Sequence, residues 1–150
     1  MRQTMENKWK KMISAVDTMG DWGGYQLYEW FKLFPEQRET ALREYIYLKA
    51  HLVRGCMAAL QKQLTPEEWN AFYLALGRQM ESTPDYSYGA TYEGLVEALH
   101  SYEGQSLAQQ KAIFAKRSTI DSTVYSQQFV KDLTNFFSRT QAELRKNLRD

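Results

Sequence analysis

Glu97 and His100, in the segment EALH, have the residue types and the i, i+3 spacing of a ligand pair in helical di-iron proteins. Residues at this spacing share one face of a helix, so a carboxylate and an imidazole placed there could bind one ion. A di-iron bundle needs the motif twice, with further carboxylates from other helices. The second histidine, His51, follows Tyr-Leu-Lys-Ala and has no acidic residue at that offset. We therefore expect no metal and no other cofactor.

Cys56 is the only cysteine, so the chain cannot form an intramolecular disulfide, and this thiol is the one candidate for a cysteine nucleophile. It lies in an apolar stretch, where a thiol behaves as a small buried hydrophobic group. His51 is five positions away, about 140° around a helix, and cannot activate Cys56 from the same helix. The chain contains no G-x-S-x-G elbow, phosphate-binding glycine loop or dinucleotide fingerprint. This pattern favours a non-enzymatic protein; an enzyme without a recognisable motif is the weaker alternative.

The elements that must position these residues are helices, because apolar side chains recur with helical spacing along most of the chain and no segment alternates as a strand does. Two adjacent apolar stripes predict a long central helix from about 36 to 63, packed on two sides. Another long helix is predicted from about 122 to 148, and a short buried helix over residues 25–34. A length of 150 residues suits one domain. The sequence predicts an all-α, single-domain bundle of six or seven helices over residues 1–150.

Three helix starts carry capping signals. LTPEEW places Thr65 before a proline and Glu68 three residues later, which is a capping box. Ser106 with Gln109 offers a second capping box, and Thr91 can cap the helix that follows it. These residues fix where three of the helices begin.

Gly55 stands inside the long central helix, where glycine costs about 1 kcal/mol relative to alanine. A glycine in a helix also lets a neighbouring backbone approach closely. The sequence therefore predicts a close helix crossing at Gly55.

The charges nearly balance, with 19 Lys and Arg against 18 Asp and Glu, so no whole-molecule field attracts nucleic acid. No basic residue lies between Arg78 and Lys111, and this stretch carries Glu81, Asp85, Glu93, Glu97 and Glu103. The two ends of the chain are mildly basic. A nucleic-acid-binding regulator that uses the C-terminal helix, through Arg145, Lys146 and Arg149, is the alternative function, although such residues more often form a solvated helix face. Nucleic acid is the less favoured partner.

No apolar window of about 18 residues exists and the N-terminal segment is polar, so neither a membrane span nor a signal peptide is expected. A soluble, cytoplasmic protein is the expectation that follows. The oligomeric state stays open.

The segment ESTPDYSYGATYEG, residues 81–94, differs from the helical remainder of the chain. It is either a packed connection whose tyrosine hydroxyls face water, or a recognition loop, since Tyr, Ser and Gly supply rigid and adaptable contacts in such loops. We expect any partner-binding site to contain Asp85, Tyr86, Tyr88, Tyr92 and Glu93. The leading hypothesis is a protein of the inhibitor, adaptor, chaperone or regulator type that binds another protein, one with a basic surface.

Overall fold

The computed structural model describes residues 5–18, 29–30, 32–60, 64–119 and 126–148. The helices of these residues are α1 (Met5–Thr18), α2 (Arg38–Ala59), α3 (Pro66–Ser82), α4 (Pro84–Ser87), α5 (Tyr92–Tyr102), α6 (Leu107–Arg117) and α7 (Ser126–Leu148). The same residues include no strand and no helix that is long and apolar enough to cross a bilayer. The predicted all-α bundle is confirmed.

Helix α2 is the centre of the bundle, as its two apolar stripes predict. It packs against α1, α4, α5, α6 and α7. Its buried side chains include Ala41, Leu48 and Val53, each fully shielded from solvent. A helix with so wide an apolar arc must be covered on more than one side, and every other helix packs on α2 or on a neighbour of α2.

Helix α7 contributes several aromatic side chains to the core. Phe129 and Phe136 are buried on its inner face, where they contact the rings of Phe114 and Tyr45 with centroid separations of 6.3 and 5.4 Å. Trp30 is buried against Phe129, and its Nε1 donates to Asp132 Oδ2 at 2.6 Å. Aromatic pairs at such separations stabilise a core by about 0.5–1.5 kcal/mol beyond the area they bury.

The predicted short buried helix over residues 25–34 is only partly within the described residues. Residues 29–30 and 32–33 are helical, and Trp30 on this segment is buried. Leu33, however, is 62% exposed. The part that the structure describes is therefore buried on one side and exposed on the other.

All three capping signals are confirmed. In α3, Glu68 N donates to Thr65 Oγ1 and Thr65 N donates to Glu68 Oε1, both at 3.1 Å. Ser106 begins α6 with a second capping box, and Thr91 accepts from the backbone at the start of α5. Each cap stabilises its helix by about 1 kcal/mol.

The prediction of a close helix crossing at Gly55 is wrong. Gly55 is exposed, and a Cβ placed on it would have no heavy atom within 4 Å from the described residues beyond its own stretch of helix. The crossing occurs at Gly77 of α3, where a Cβ would lie 2.7 Å from the Cβ and 3.0 Å from the Cα of Tyr92. Gly77 therefore sets the separation between α3 and α5.

Candidate functional site

The connection between α3 and α5, residues 83–91, is here called the elbow. It contains the single helical turn α4 and then two residues with left-handed backbone, Tyr88 (φ 55°) and Gly89 (φ 78°). The Thr83 side chain at the N-cap of this turn makes no capping hydrogen bond; its hydroxyl donates back to Gln79 O of α3 at 3.1 Å. A left-handed conformation costs a non-glycine residue about 1–2 kcal/mol, so contacts elsewhere in the elbow must stabilise Tyr88.

Hydrogen bonds tie the elbow to α2 and α3. Two of them join a side chain of α2 to the backbone of the elbow. The third is buried and joins the elbow to α3. They are Arg43 Nη1 to Tyr88 O (3.3 Å), Thr91 N to Tyr47 Oη (3.1 Å) and Ser87 Oγ to Met80 O (2.7 Å). The elbow is therefore a fixed part of the bundle.

The three tyrosines of the predicted site have different surroundings. Tyr86 is 84% exposed on α4. Tyr88 is half-buried and packs against the core, and Tyr92 is half-buried where its Cα and Cβ lie against Gly77. The two acidic residues, Asp85 and Glu93, are exposed. Tyr86 is therefore the most exposed ring of the three.

A cavity of about 320 Å³, here called the elbow cavity, lies between the elbow and helices α1, α2 and α3. Tyr86 and Tyr88 contribute to its lining together with Lys49. Lys49 is buried, and its Nζ lies 5.0 Å from the ring centroid of Tyr45. The apolar part of the lining is Val16, Leu42, Ile46, Leu76 and Met80.

Tyr92 belongs to a different depression, a cleft of about 440 Å³ between α3 and α5. Trp69 and Tyr73 are stacked along this aromatic cleft with a centroid separation of 5.8 Å, and Arg54 of α2 reaches its lining. Burial raises the pKa of the Tyr73 hydroxyl, although Arg54 opposes this. The structure thus divides the predicted tyrosines between two sites.

His51 is held in a buried polar cluster that sequence reasoning missed. Its Nε2 lies 2.7 Å from Gln110 Oε1, its Nδ1 accepts from Arg54 Nη2 at 2.9 Å, and its ring stacks on Tyr102 at 4.7 Å. Arginine can only donate, so Nδ1 must be the acceptor and Nε2 carries the proton. The pKa of His51 is lowered from 6.5 to about 4, mainly by burial; the hydrogen bond to Gln110 opposes this shift and the Arg54 charge contributes to it.

This low pKa predicts an acid-sensitive stability. The unfolded chain binds a proton at His51 near pH 6.5 and the folded chain only near pH 4, so stability falls as the pH falls between these values. From about pH 7 to about pH 5 the expected loss is about 2 kcal/mol in the free energy of unfolding. Urea denaturation at both pH values should show a smaller loss in the free energy of unfolding for His51→Gln than for His100→Gln. The second variant is the matched control, because it removes an exposed histidine. Equal pH dependence in the two variants would contradict the assignment.

The second half of the polar cluster is an ion pair between α2 and α6. Arg117 Nε donates to Glu44 Oε1 at 2.6 Å, and the side chains are 21% and 8% exposed. Burial raises the pKa of Glu44, because at this more enclosed group desolvation outweighs the arginine. Burial by itself would lower the pKa of Arg117. The hydrogen bond to Glu44 and the negative charge of Glu44 oppose this, and the pKa of Arg117 is raised. Beside them, the Tyr102 hydroxyl is buried with no hydrogen-bond partner among the described residues.

Glu97 and His100 do not converge. The carboxylate of Glu97 lies 3.7 Å from Arg117 Nη1, whereas His100 pairs with Glu103 at 3.5 Å on an exposed surface. Within the ranges that the structure describes, no group of three or more His, Cys, Asp and Glu side chains could hold a metal ion. Cys56 is buried, as its apolar surroundings predict.

No family model, curated protein or solved structure matches this chain. Its function must be inferred from its own side chains. Two exposed features stand out among the described residues: Tyr86 beside the elbow cavity, and the outer face of α7, where Arg145 and Lys146 are exposed. Arg149, the third cation of the alternative site, lies outside the described residues.

Proposed function

We propose that this protein acts by binding another protein, as an inhibitor, adaptor, chaperone or regulator does, with Tyr86 as the main anchor. The observation that carries the proposal is an aromatic side chain 84% exposed on a turn that hydrogen bonds hold to two helices. Tyrosine is enriched among residues that dominate binding energy. A backbone already fixed before binding loses little entropy in the complex.

The elbow cavity, which Tyr86 helps to line, supports the same proposal. Its lining combines apolar side chains beside the exposed ring, including Ile46, Leu76 and Met80, with polar ones such as Lys49. A partner that contacts Tyr86 could insert one apolar side chain into this cavity. A projecting ring next to a pocket is the arrangement in which anchor residues of two partners pair.

Charge near Tyr86 indicates which surface the partner presents. Glu81, Asp85 and Glu93, which lie before and after Tyr86 in the chain, are all exposed. Arg43 is half-buried, and its guanidinium donates to the elbow backbone. Since complementary charge at the rim of an interface speeds association and selects partners, we expect Lys and Arg around the partner's contact.

Tyr86→Ala should weaken the complex by more than about 1 kcal/mol, which is about fivefold or more in Kd. The expected stability change is within about 0.5 kcal/mol, because the side chain is exposed. Leu107→Ala is the matched control, since Leu107 is an exposed apolar residue (47%) on another helix. Calorimetric titration of the purified partner against the three proteins measures the difference.

The partner can be found with a photo-crosslinking amino acid at position 86 and, in a second variant, at position 107. A partner that forms a crosslink only from position 86 is purified and carried into the titration. Equal affinity of the Tyr86→Ala and Leu107→Ala variants would rule out Tyr86 as the anchor. Tyr86→Phe then separates the ring from the hydroxyl: unchanged affinity would assign the energy to the ring.

A further inference from the structure

The outer face of α7 is rich in cations, and the acidic residues of this helix lie at its margin. Its exposed residues, where the structure describes the side chain, are Gln128, Lys131, Asn135, Ser138, Arg139, Gln141, Ala142, Arg145 and Lys146. Amides, a hydroxyl and cations are the side chains that most often contact phosphate and base edges in nucleic-acid complexes. The chain as a whole has almost as many acidic as basic residues, so this face departs from the rest.

The two acidic residues of α7 lie at the margin of this face. Asp132 is partly buried and accepts from Trp30 Nε1 at 2.6 Å and from Gln128 Nε2 at 3.1 Å. The Glu143 side chain is 40% exposed, and its Oε1 lies 3.6 Å from Lys146 Nζ, so it offsets part of the charge of that lysine. At 100° per residue, the four cations fall within an arc of about 120°, and both acids fall outside it.

The cations are spread along the helix. Lys131 and Lys146 are separated by a rise of about 22 Å, and Arg139 lies between them. Ser138 and Ala142 occupy the middle of the exposed face, where their short side chains leave the helix surface open to close approach. Among the α7 side chains that the structure describes, the exposed face is therefore a positively charged ridge without a large apolar residue.

We infer that α7 binds duplex DNA, with Lys131, Arg139, Arg145 and Lys146 on phosphates. This activity goes beyond the proposed protein binding and uses a different surface. An α-helix is about 10–12 Å across and the major groove of DNA about 12 Å wide, so the middle of the face can approach base edges. The amides of Asn135 and Gln141 are suited to such contacts.

Other polyanions fit this face less well. An interfacial membrane helix inserts an apolar face into the lipid, but the apolar face of α7 is in the core, with Phe129 and Leu133 buried. Duplex RNA has a deep, narrow major groove that side chains cannot read. Duplex DNA offers both the continuous charge and the open groove.

The test is fluorescence anisotropy with a labelled DNA duplex of about 20 base pairs at several salt concentrations from about 50 mM upward. The wild-type protein should bind with a slope of log K against log salt of about −3 to −4, since each phosphate contact contributes about −0.9. The triple variant Arg139→Gln, Arg145→Gln, Lys146→Gln should bind at least about tenfold more weakly, with a correspondingly shallower slope. The control variant Lys32→Gln, Arg38→Gln, Arg78→Gln removes the same residue types from exposed positions of other elements.

The control variant should bind as the wild type does. Equal weakening in both variants would overturn the assignment to α7, and so would absence of wild-type binding at the lowest salt. Tighter binding to the RNA duplex of the same sequence, or to vesicles with anionic headgroups, would overturn the choice of DNA. Because Tyr86 is intact in both triple variants, loss of DNA binding and loss of protein binding remain separate results.

Discussion

Gly77→Ala should destabilise the protein by about 2 kcal/mol, although alanine forms helices better than glycine by about 1 kcal/mol. The new methyl group would lie 2.7 Å from the Cβ of Tyr92, a distance that real Cβ atoms almost never show, and 3.0 Å from its Cα, which is also unusually close. Those atoms belong to the start of α5 and cannot rotate away, so α3 and α5 would have to separate. Gly77→Leu should cost about 3 kcal/mol or more for the same reason. The free energy of unfolding in urea measures both effects.

Gly55→Ala is the control, because it makes the same substitution in another helix. Apart from the helix itself, no part of the described chain lies within 4 Å of the added methyl group, and Gly55 is exposed. The variant should therefore gain about 0.5–1 kcal/mol of stability from helix propensity alone. If the two alanine variants shifted the urea midpoint in the same direction, the close crossing at Gly77 would be disproved.

The contrast between these glycines shows that the sequence predicts the helices but not the points at which they cross. Apolar periodicity and capping signals predict the helices and several of their first residues, because those features act within one or two turns of the chain. Gly55 lies on an apolar stripe of α2, but Ala58 and Ala59 beside it are exposed. The stripe continues past the point where another described helix covers it. Helix propensity alone cannot show which glycine is covered by a neighbour.

The candidate site was predicted as a segment but not as an arrangement of side chains. Composition singles out residues 81–94 as the unusual stretch, yet it gives Tyr86, Tyr88 and Tyr92 equal weight. Their exposure differs because the left-handed backbone at Tyr88 reverses the chain. An irregular turn has no period from which the direction of a side chain can be read.

The sequence does contain one indication of the polar cluster, which is the spacing of two ionisable residues in α2. Glu44 and His51 are seven residues apart and therefore share a face of α2, which is otherwise rich in buried apolar residues. Two ionisable residues on one buried face indicate partners from elsewhere. Those partners, Arg117 and Gln110, are 73 and 59 positions further along the chain. Only the docking of α6 on α2 identifies them.

Charge segregation is likewise hidden by the totals. The net charge of +1 suggests no preference for a polyanion. In the structure, the five acidic residues between Arg78 and Lys111 are all exposed, whereas the exposed face of α7 is basic. A protein with one acidic and one basic surface can bind two different partners, which makes protein binding at the elbow compatible with DNA binding at α7.

Arg117→Met should destabilise the protein by about 3 kcal/mol at about pH 8, because it leaves the carboxylate of Glu44 buried without its cation. The pKa of Glu44 is already raised by burial, and loss of the arginine raises it further. A carboxyl group whose folded pKa exceeds its unfolded pKa stabilises the fold when protonated and loses that contribution as the pH rises. The deficit relative to wild type should therefore shrink at about pH 5. Urea denaturation at both pH values measures it.

The double variant Glu44→Gln, Arg117→Met separates the ion pair from the packing of the arginine side chain. Replacing both partners of a buried pair is often close to neutral, whereas removing one is costly, so the double variant should recover most of the loss at about pH 8. It should also lose the extra pH dependence of the single variant, because no titrating carboxyl group remains at position 44. A loss in Arg117→Met that is independent of pH, and that Glu44→Gln does not restore, would show that Arg117 stabilises the fold through its packing instead.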